Sequence, residues 1–380
     1  MNDAVIVAAV RTPVGKRNGA LSSVHPADLS AHVLDALVRR TGIDPAQVDD
    51  VVWGCVSQVG EQTFDIARTA VLSAGWPESV PGTTVDRQCG SSQQAIHFAA
   101  AGLIAGHYDV VVAGGVESMS RIPMGSAQAT GNPFGPRYRQ RYGEDAPNQG
   151  IGAEMIADQW ALSRQRLDEF AVESHERAAK ASDGGSFSAE IAPIDTNSGQ
   201  VDTDEGIRRG GTVEKLGGLR PAFHEDGKIT AANASQISDG SAALLMMTSD
   251  AASRAGLDPI ARIHSVAVVG SAPMPMLTGP IPATAKILKR SGLSIGDIGV
   301  FEVNEAFASI PLAWATEFDV DLSKVNPRGG AIALGHPLGG SGARLMTTMI
   351  HHMQQENIRF GLQTMCEGGG QANATIVELL

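Results

Sequence analysis

The feature that most constrains this chain is an order of elements that occurs twice. Apolar runs at residues 5–10, 51–56, 83–86 and 110–113 read as strands, and residues 26–40 and 89–105 read as helices. Past residue 260 the pattern returns, with strands at 261–269, 300–303 and 360–365, helices at 283–291 and 341–352, and residues 324–326 ahead of a Gly-rich turn. The interval from Val51 to Val110 nearly equals that from Ile298 to Phe360. Strand–helix alternation predicts an α/β fold, and its recurrence predicts two similar halves. Residues 118–236 break the rhythm. They are rich in Gly, Pro, Arg and Asp, hold one clear helical stretch at 168–181, and read as an inserted loop domain that helps form the binding site. The expected organisation is a first half of residues 1–117 and 237–258, an insert of 118–236, and a second half of 259–380.

Charge and cysteine content narrow the function. A formal net charge of −12 argues against nucleic acid or an anionic membrane surface as partner, and an anionic ligand would need a local basic patch. No apolar run reaches the roughly 18 residues that a membrane span needs. The opening Met1-Asn2-Asp3-Ala4-Val5 lacks the basic start and apolar core of a secretion signal. The closing Glu378-Leu379-Leu380 is not a peroxisomal address, so the expected location is cytoplasmic. Cys55, Cys89 and Cys366 form no CxxC pair, which fits a reducing compartment and excludes a disulfide framework or a zinc site. The clusters Gly114-Gly115, Gly329-Gly330 and Gly368-Gly369-Gly370 read as ordinary turns or as backbone lying close to a ligand.

Four residues could carry chemistry. Cys89, in Asp86-Arg87-Gln88-Cys89-Gly90-Ser91-Ser92, stands where a strand turns sharply into a helix, the setting of a nucleophile elbow. Free backbone N–H groups and the helix dipole there are expected to favour thiolate. A lone cysteine elsewhere would more often be structural; this setting reverses that preference. His336, fixed between Gly335 and Pro337 in the corresponding turn of the second half, is poorly explained as a core histidine and could take the thiol proton. Cys366 precedes the Gly368-Gly369-Gly370 loop, where a thiol could move protons while loop N–H groups hold an oxyanion; it reads equally as a filler residue. Asn304, in Val303-Asn304-Glu305-Ala306-Phe307-Ala308, sits past a strand end, where ligands gather in α/β sheets.

These four, in this order, resemble the thiolase family across essentially the whole chain. The likeness extends to Arg11-Thr12-Pro13-Val14-Gly15-Lys16, to Gly114-Gly115-Val116-Glu117-Ser118-Met119, expected as a turn, and to Asn233-Ala234-Ser235-Gln236-Ile237-Ser238-Asp239-Gly240. The resemblance implies a five-layer αβαβα arrangement of duplicated halves around shared central helices, with the loop domain over the active site. It implies that Cys89 becomes acylated, that His336 activates it, and that Cys366 exchanges a proton with the substrate α-carbon or the CoA sulfur. Asn304 would hold the water of one oxyanion hole together with His336, and the N–H groups of Cys89 and Gly368 would make the other. Positions matching the family's CoA path are Arg208, Ala222, Phe223, Ala231, Ser235, Met276, Ala306 and Phe307. Arg208, Lys215 and Arg220 would supply the basic patch, and Arg209 reads as a solvated charge. Coenzyme A enters as substrate or product, no metal or redox cofactor is expected, and the family's habit is a homodimer or homotetramer.

Two residues depart from the family pattern: Gly340, where Ala or Cys is common, and Glu367, where an apolar residue is frequent. Residues 131–141 have no assigned role beyond shaping an acyl pocket. Two alternatives stand beside the thiolase reading. One is a decarboxylating 3-oxoacyl synthase, which would use two histidines and no second cysteine. The other is a non-catalytic acyl-CoA-binding scaffold, which would usually have lost a catalytic side chain. The sequence around Cys89 and Cys366 resembles thiolases of acetoacetyl-CoA and those of bulkier steroid-derived chains in actinobacteria.

Overall fold

A computed structural model describes residues 2–143 and 147–380. Among them, ten strands join in one mixed sheet. Across it run Val300–Val303, Phe360–Glu367, Gln371–Leu379, Ala261–Gly270, Val5–Arg11, Ser238–Met247, Val110–Ser118, Asp50–Gly54 and Thr83–Val85, with Gly15–Lys16 pairing to Ser238–Met247 off this path. The duplication is visible about the seam between Val5–Arg11 and Ala261–Gly270. Outward from it, each half takes two antiparallel steps and then a parallel one. The last parallel neighbour in the first half is Thr83–Val85, and in the second it shrinks to a single bridge, Phe301 to Val325. A 3-10 turn, Leu322–Lys324, leads into that bridge. At the seam only Val5 and Ile6 pair, with Arg262 and Ala261.

Alternation of side chains along the strands sorts the core into layers. Val5, Val10, Val51, Trp53, Val112 and Leu245 face the helices Pro26–Thr41 and Ile66–Ser73. The opposite face, with Ile6, Val52, Val111, Leu244 and Met246, packs on Ser91–Ala105 and Ser341–Glu356. Val300 and Val377 of the second half join that same cluster, so the two helices are shared between the halves. Ala267, Phe301, Leu362 and Ile376 are covered on their other side by Pro280–Ser291 and Ser309–Phe318. The order is helix, sheet, helix, sheet, helix, as expected.

Several details differ from the sequence reading. Gly114 and Gly115 are not in a turn but inside the strand Val110–Ser118. Their glycines are required by close approach: a Cβ at Gly114 would lie 2.3 Å from the Ala242 carbonyl oxygen, and one at Gly115 2.3 Å from that of Gly339. Gly340 is similarly pressed, with a Cβ 3.1 Å from the carbonyls of Gly115 and Gly240. The chain leaves the sheet at Ser118 and returns at Ser238, where Ser118 pairs with Asp239. Between them the insert carries Pro136–Tyr142, Gln149–Gln159, Arg164–Asp183 and Val213–Gly217 rather than one helix. Residues 131–141 lead into the helix Pro136–Tyr142, and the Tyr138 ring meets those of Phe134 and Tyr142 in tilted pairs at 4.7 and 4.9 Å. The insert is tied to the first strand by Arg11, whose Nε donates to Glu190 at 2.6 Å and whose Nη atoms donate to Asp204 at 2.7 and 2.9 Å, all fully or nearly fully buried. Among the described residues no helix is long and apolar enough to cross a membrane.

Candidate active site

Cys89 is presented by a turn that its neighbours force. Asp86 Oδ1 accepts from the Gln88 N–H at 2.7 Å, and Ser91 Oγ accepts from the Arg87 N–H at 2.9 Å while donating to the Gln88 carbonyl at 2.6 Å. These bonds hold Gln88 at φ +48°, a conformation non-glycine residues rarely adopt. The helix Ser91–Ala105 starts two residues past the cysteine, not at it. Cys89 is 4% exposed and packed with Met119, Leu338, Leu345 and Met365. Burial, and then the charge of Glu367, push its thiol up to about 12; the N–H groups of Cys89 and Gly368 pull the other way. The expected preference for thiolate is therefore reversed at rest, because desolvation outweighs the dipoles.

His336 is held by contributions from both halves. Its N–H donates to Ser238 Oγ at 3.1 Å. Three residues on, the Gly339 N–H donates to Glu117 at 2.9 Å, and the same buried carboxylate accepts from the N–H groups of Val56 and Ser57 at 3.0 and 3.1 Å and from Gln62 at 2.7 Å. Glu117 thus ties the second-half turn to the first-half sheet beside Cys89. The ring's protonation follows from its partners. Ser341 Oγ donates its hydrogen to the Pro337 carbonyl at 2.8 Å, so His336 Nδ1, 2.6 Å away, must be the N–H that donates to Ser341. Nε2 then carries the lone pair, which faces Asn304 Nδ2 at 3.4 Å. Burial and Arg344 lower the imidazole to about 3, so it is neutral and its free nitrogen is basic in geometry.

Asn304 follows the strand Val300–Val303, and its N–H donates to the Thr364 carbonyl at 3.1 Å. Its Oδ1 is buried without a hydrogen-bond partner among the described residues. Cys366 lies inside the strand Phe360–Glu367 rather than after it, 1% exposed. Burial, then the neighbouring Cys89 and Glu367, push its thiol well above the usual range. The structure therefore gathers Cys89, Cys366 and the Gly368 N–H in one buried group and His336 with Asn304 in another contact. Pattern reading did not single out Ser341, which sets the tautomer, and gave no role to Glu117 and Ser238, which place the turn. A serine five residues past the histidine, where the next helix begins, was the one available signal.

The residues expected along the CoA path fall into two sets. Phe223, Ser235, Ala306 and Phe307 lie together: the Ser235 N–H donates to the Ala306 carbonyl at 2.9 Å and Phe223 meets Phe307 edge-on at 5.9 Å, while the neighbouring Ala222 N–H donates to the Ile229 carbonyl at 2.9 Å. Met276 is buried in the same core cluster as Ala306 and Phe307. Arg208 lines a cavity of about 230 Å³ with Val172, His175, Arg209, Leu216 and Ala232, next to the exposed Ala231. Arg209 borders that cavity as an exposed charge paired with the exposed Asp183, in keeping with its reading as a solvated charge. Lys215 bonds the Gly210 carbonyl at the same rim, whereas Arg220 is exposed away from these contacts. None of the cavity's walls is Cys89, His336, Asn304 or Cys366.

Comparison with known proteins places this arrangement. Residues 4–250 match the thiolase N-terminal domain and residues 257–379 the thiolase C-terminal domain. The chain is 51% identical to the steroid 3-ketoacyl-CoA thiolase FadA6 of Mycobacterium tuberculosis, over all of this chain and 95% of that one. It is 48% identical to a 3-ketoacyl-CoA thiolase of Erwinia tasmaniensis over the full length of both. The crystal structure of the Bacillus anthracis acetyl-CoA acetyltransferase superposes with a TM-score of 0.90 at 39% identity, covering 100% of this chain and 99% of that one. With both domain models matched in order and full-length relatives near half identity, the chain belongs to the thiolase family.

Proposed function

We propose that this chain is a 3-oxoacyl-CoA thiolase that works through a thioester on Cys89, mainly in the degradative direction. The observation that carries this is the grouping at Cys89: a thiol on a strand-to-helix turn, faced by the N–H groups of Cys89 and Gly368, with Cys366 beside it. His336 Nε2 takes the Cys89 proton as sulfur attacks the 3-oxo carbon, and the resulting oxyanion falls to those two N–H groups. The C2–C3 bond then breaks, leaving acyl-Cys89 and the enolate of acetyl-CoA. Protonated His336, with a water held by Asn304, stabilises the thioester oxygen of that enolate, the costliest species on the path. Cys366 gives the enolate its proton and recovers one from incoming CoA, whose sulfur displaces Cys89, and the departing Cys89 sulfur takes its proton back from His336. Acyl and proton transfer balance every step, so the reading needs no metal or redox cofactor.

Both cysteines at rest are neutral thiols and His336 is neutral imidazole, so charge separation waits for substrate. CoA lies along the Phe223–Phe307 surface, with Arg208 and its neighbours at the phosphates, the basic patch that an acidic protein needs. The likeness to a steroid-directed relative supports a bulky 3-oxoacyl substrate as well as acetoacetyl-CoA. We read the protein as a cytoplasmic homodimer or homotetramer acting in β-oxidation. The test is loss of acetoacetyl-CoA enolate absorbance on adding free CoA, with Cys89→Ala as control. CoA-dependent turnover by the wild type alone supports the reading. Condensation that consumes malonyl carbon and does not need free CoA would assign the site to a decarboxylating synthase instead.

A further inference from the structure

The strand that carries Cys366 ends on a side chain that the mechanism above leaves unused. Glu367 is fully buried, and neither carboxyl oxygen has a hydrogen-bond partner among the described residues. Its carboxyl lies against the Cα of Gly90: a Cβ at that position would come within 2.0 Å of Oε1 and 2.8 Å of Cδ. Glu367 therefore occupies the space that a side chain next to Cys89 would take. Its neighbours in sequence are Cys366 and Gly368, the residue whose N–H faces the Cys89 sulfur.

The charged and titratable groups around it are few. Arg87 approaches from the nucleophile turn, but its Nη1 is engaged by Gln371 at 2.8 Å and its Nε is itself buried and unpartnered. The charge of Arg87 and then the Asn373 N–H favour the carboxylate, Asp86 adds a smaller opposing charge, and the two thiols complete the set. A carboxylate without a bonded counter-ion in such a place is poorly solvated, and burial raises its pKa to about 8. At neutral pH the group is therefore mostly a neutral acid. Acylation builds an oxyanion at the N–H groups of Cys89 and Gly368, and a second negative charge in the same apolar space would oppose it.

We propose that Glu367 is a positioning residue that works uncharged: as a neutral acid it backs the Cys89–Gly90 turn and the Gly368 N–H, and its ionisation shuts off acylation of Cys89. The proposal rests on the thiolase reading of the site. Its test is single-turnover acylation by acetoacetyl-CoA between about pH 6 and 9.5 in wild type, Glu367→Gln and Glu367→Ala. Wild type should lose about tenfold in rate for each pH unit above the ionisation. Glu367→Ala should be slow throughout, whereas Glu367→Gln, uncharged and of the same shape, should restore most of the neutral-pH rate and lack the alkaline decline. An unchanged alkaline limb in the Gln variant overturns the proposal, as does a loss of more than about 100-fold at neutral pH, which would mean that the ionisable proton is itself required. An infrared difference spectrum, wild type minus Glu367→Gln, reads the carboxyl without turnover. It should show the protonated C=O stretch at neutral pH and lose it as pH rises; no such band also overturns the proposal. A wild type that shows the band yet turns over no 3-oxoacyl-CoA refutes instead the thiolase reading beneath it.

Discussion

Replacing Ser341 with Ala asks whether one hydroxyl sets the state of the His336 ring. Ser341 Oγ sits 2.6 Å from Nδ1 and is itself fixed by donating to the Pro337 carbonyl at 2.8 Å. That chain of two bonds is what leaves the lone pair on Nε2, where the proposed base for Cys89 must carry it. In Ser341→Ala the Nδ1–H becomes a buried donor without an acceptor, a cost of about 1–3 kcal/mol. The ring relieves it by shifting the proton to Nε2 or by tilting, and either change removes the base. Carried fully into the transition state, that energy is about 5- to 150-fold in kcat. The assay is thiolysis of acetoacetyl-CoA at saturating concentrations of both substrates, with a thermal melt to show that the variant is folded. The KM for CoA should stay within about twofold, because the hydroxyl is not part of the CoA surface. A folded variant with kcat within twofold of wild type would refute the tautomer argument.

For Glu302, Glu367, His97 and His336 together, stability should pass through a broad maximum between about pH 4.5 and 6.5. Glu302 and Glu367 are each pushed up to about 8 by burial, so the folded chain keeps protons that the unfolded chain releases. Their effect makes stability fall as pH rises from about 4.5 to 8, by up to about 1.4 kcal/mol per unit and group. His97 and His336, lowered to about 3 by burial, act oppositely and make stability fall as pH drops below about 6.5. Melting temperatures that climb steadily from pH 6 to 8.5 would contradict this balance. Arg11→Met should cost about 3–5 kcal/mol in denaturant titration, since it leaves Asp204 buried without its cation and Glu190 with Arg328 alone, at 3.8 Å; a loss under about 1 kcal/mol would show the anchor to be dispensable.

The parts of the fold legible in the sequence are those where one physical signal dominates. The buried parallel strand Val300–Val303 was readable because it is a short apolar run, and the repeat because its elements recur at matching spacing. Ser238–Met247 was not readable, since it is buried along its whole length, opens on Ser-Asp-Gly-Ser and so shows no alternation. Gln371–Leu379 was hidden for a related reason: its Asn373 and Thr375 face buried polar partners rather than solvent. The insert's helix Gln149–Gln159 has two glycines and carries little helical signal of its own; it is held by packing in the second-half core. At the site, Cys89 and His336 announce themselves through their turns. Ser341 and Glu117 act through bonds to residues far off in sequence, and the resting thiol depends on desolvation, which no local motif encodes.

The central claim is that the acyl group passes through Cys89. The direct measurement is mass analysis of peptides from enzyme quenched in acid during turnover of acetoacetyl-CoA. The account predicts an acetyl group on the peptide carrying Cys89, discharged when CoA is added and absent from Cys89→Ala, with none on Cys366. An acetyl group on Cys366, or full turnover by Cys89→Ala, would contradict it.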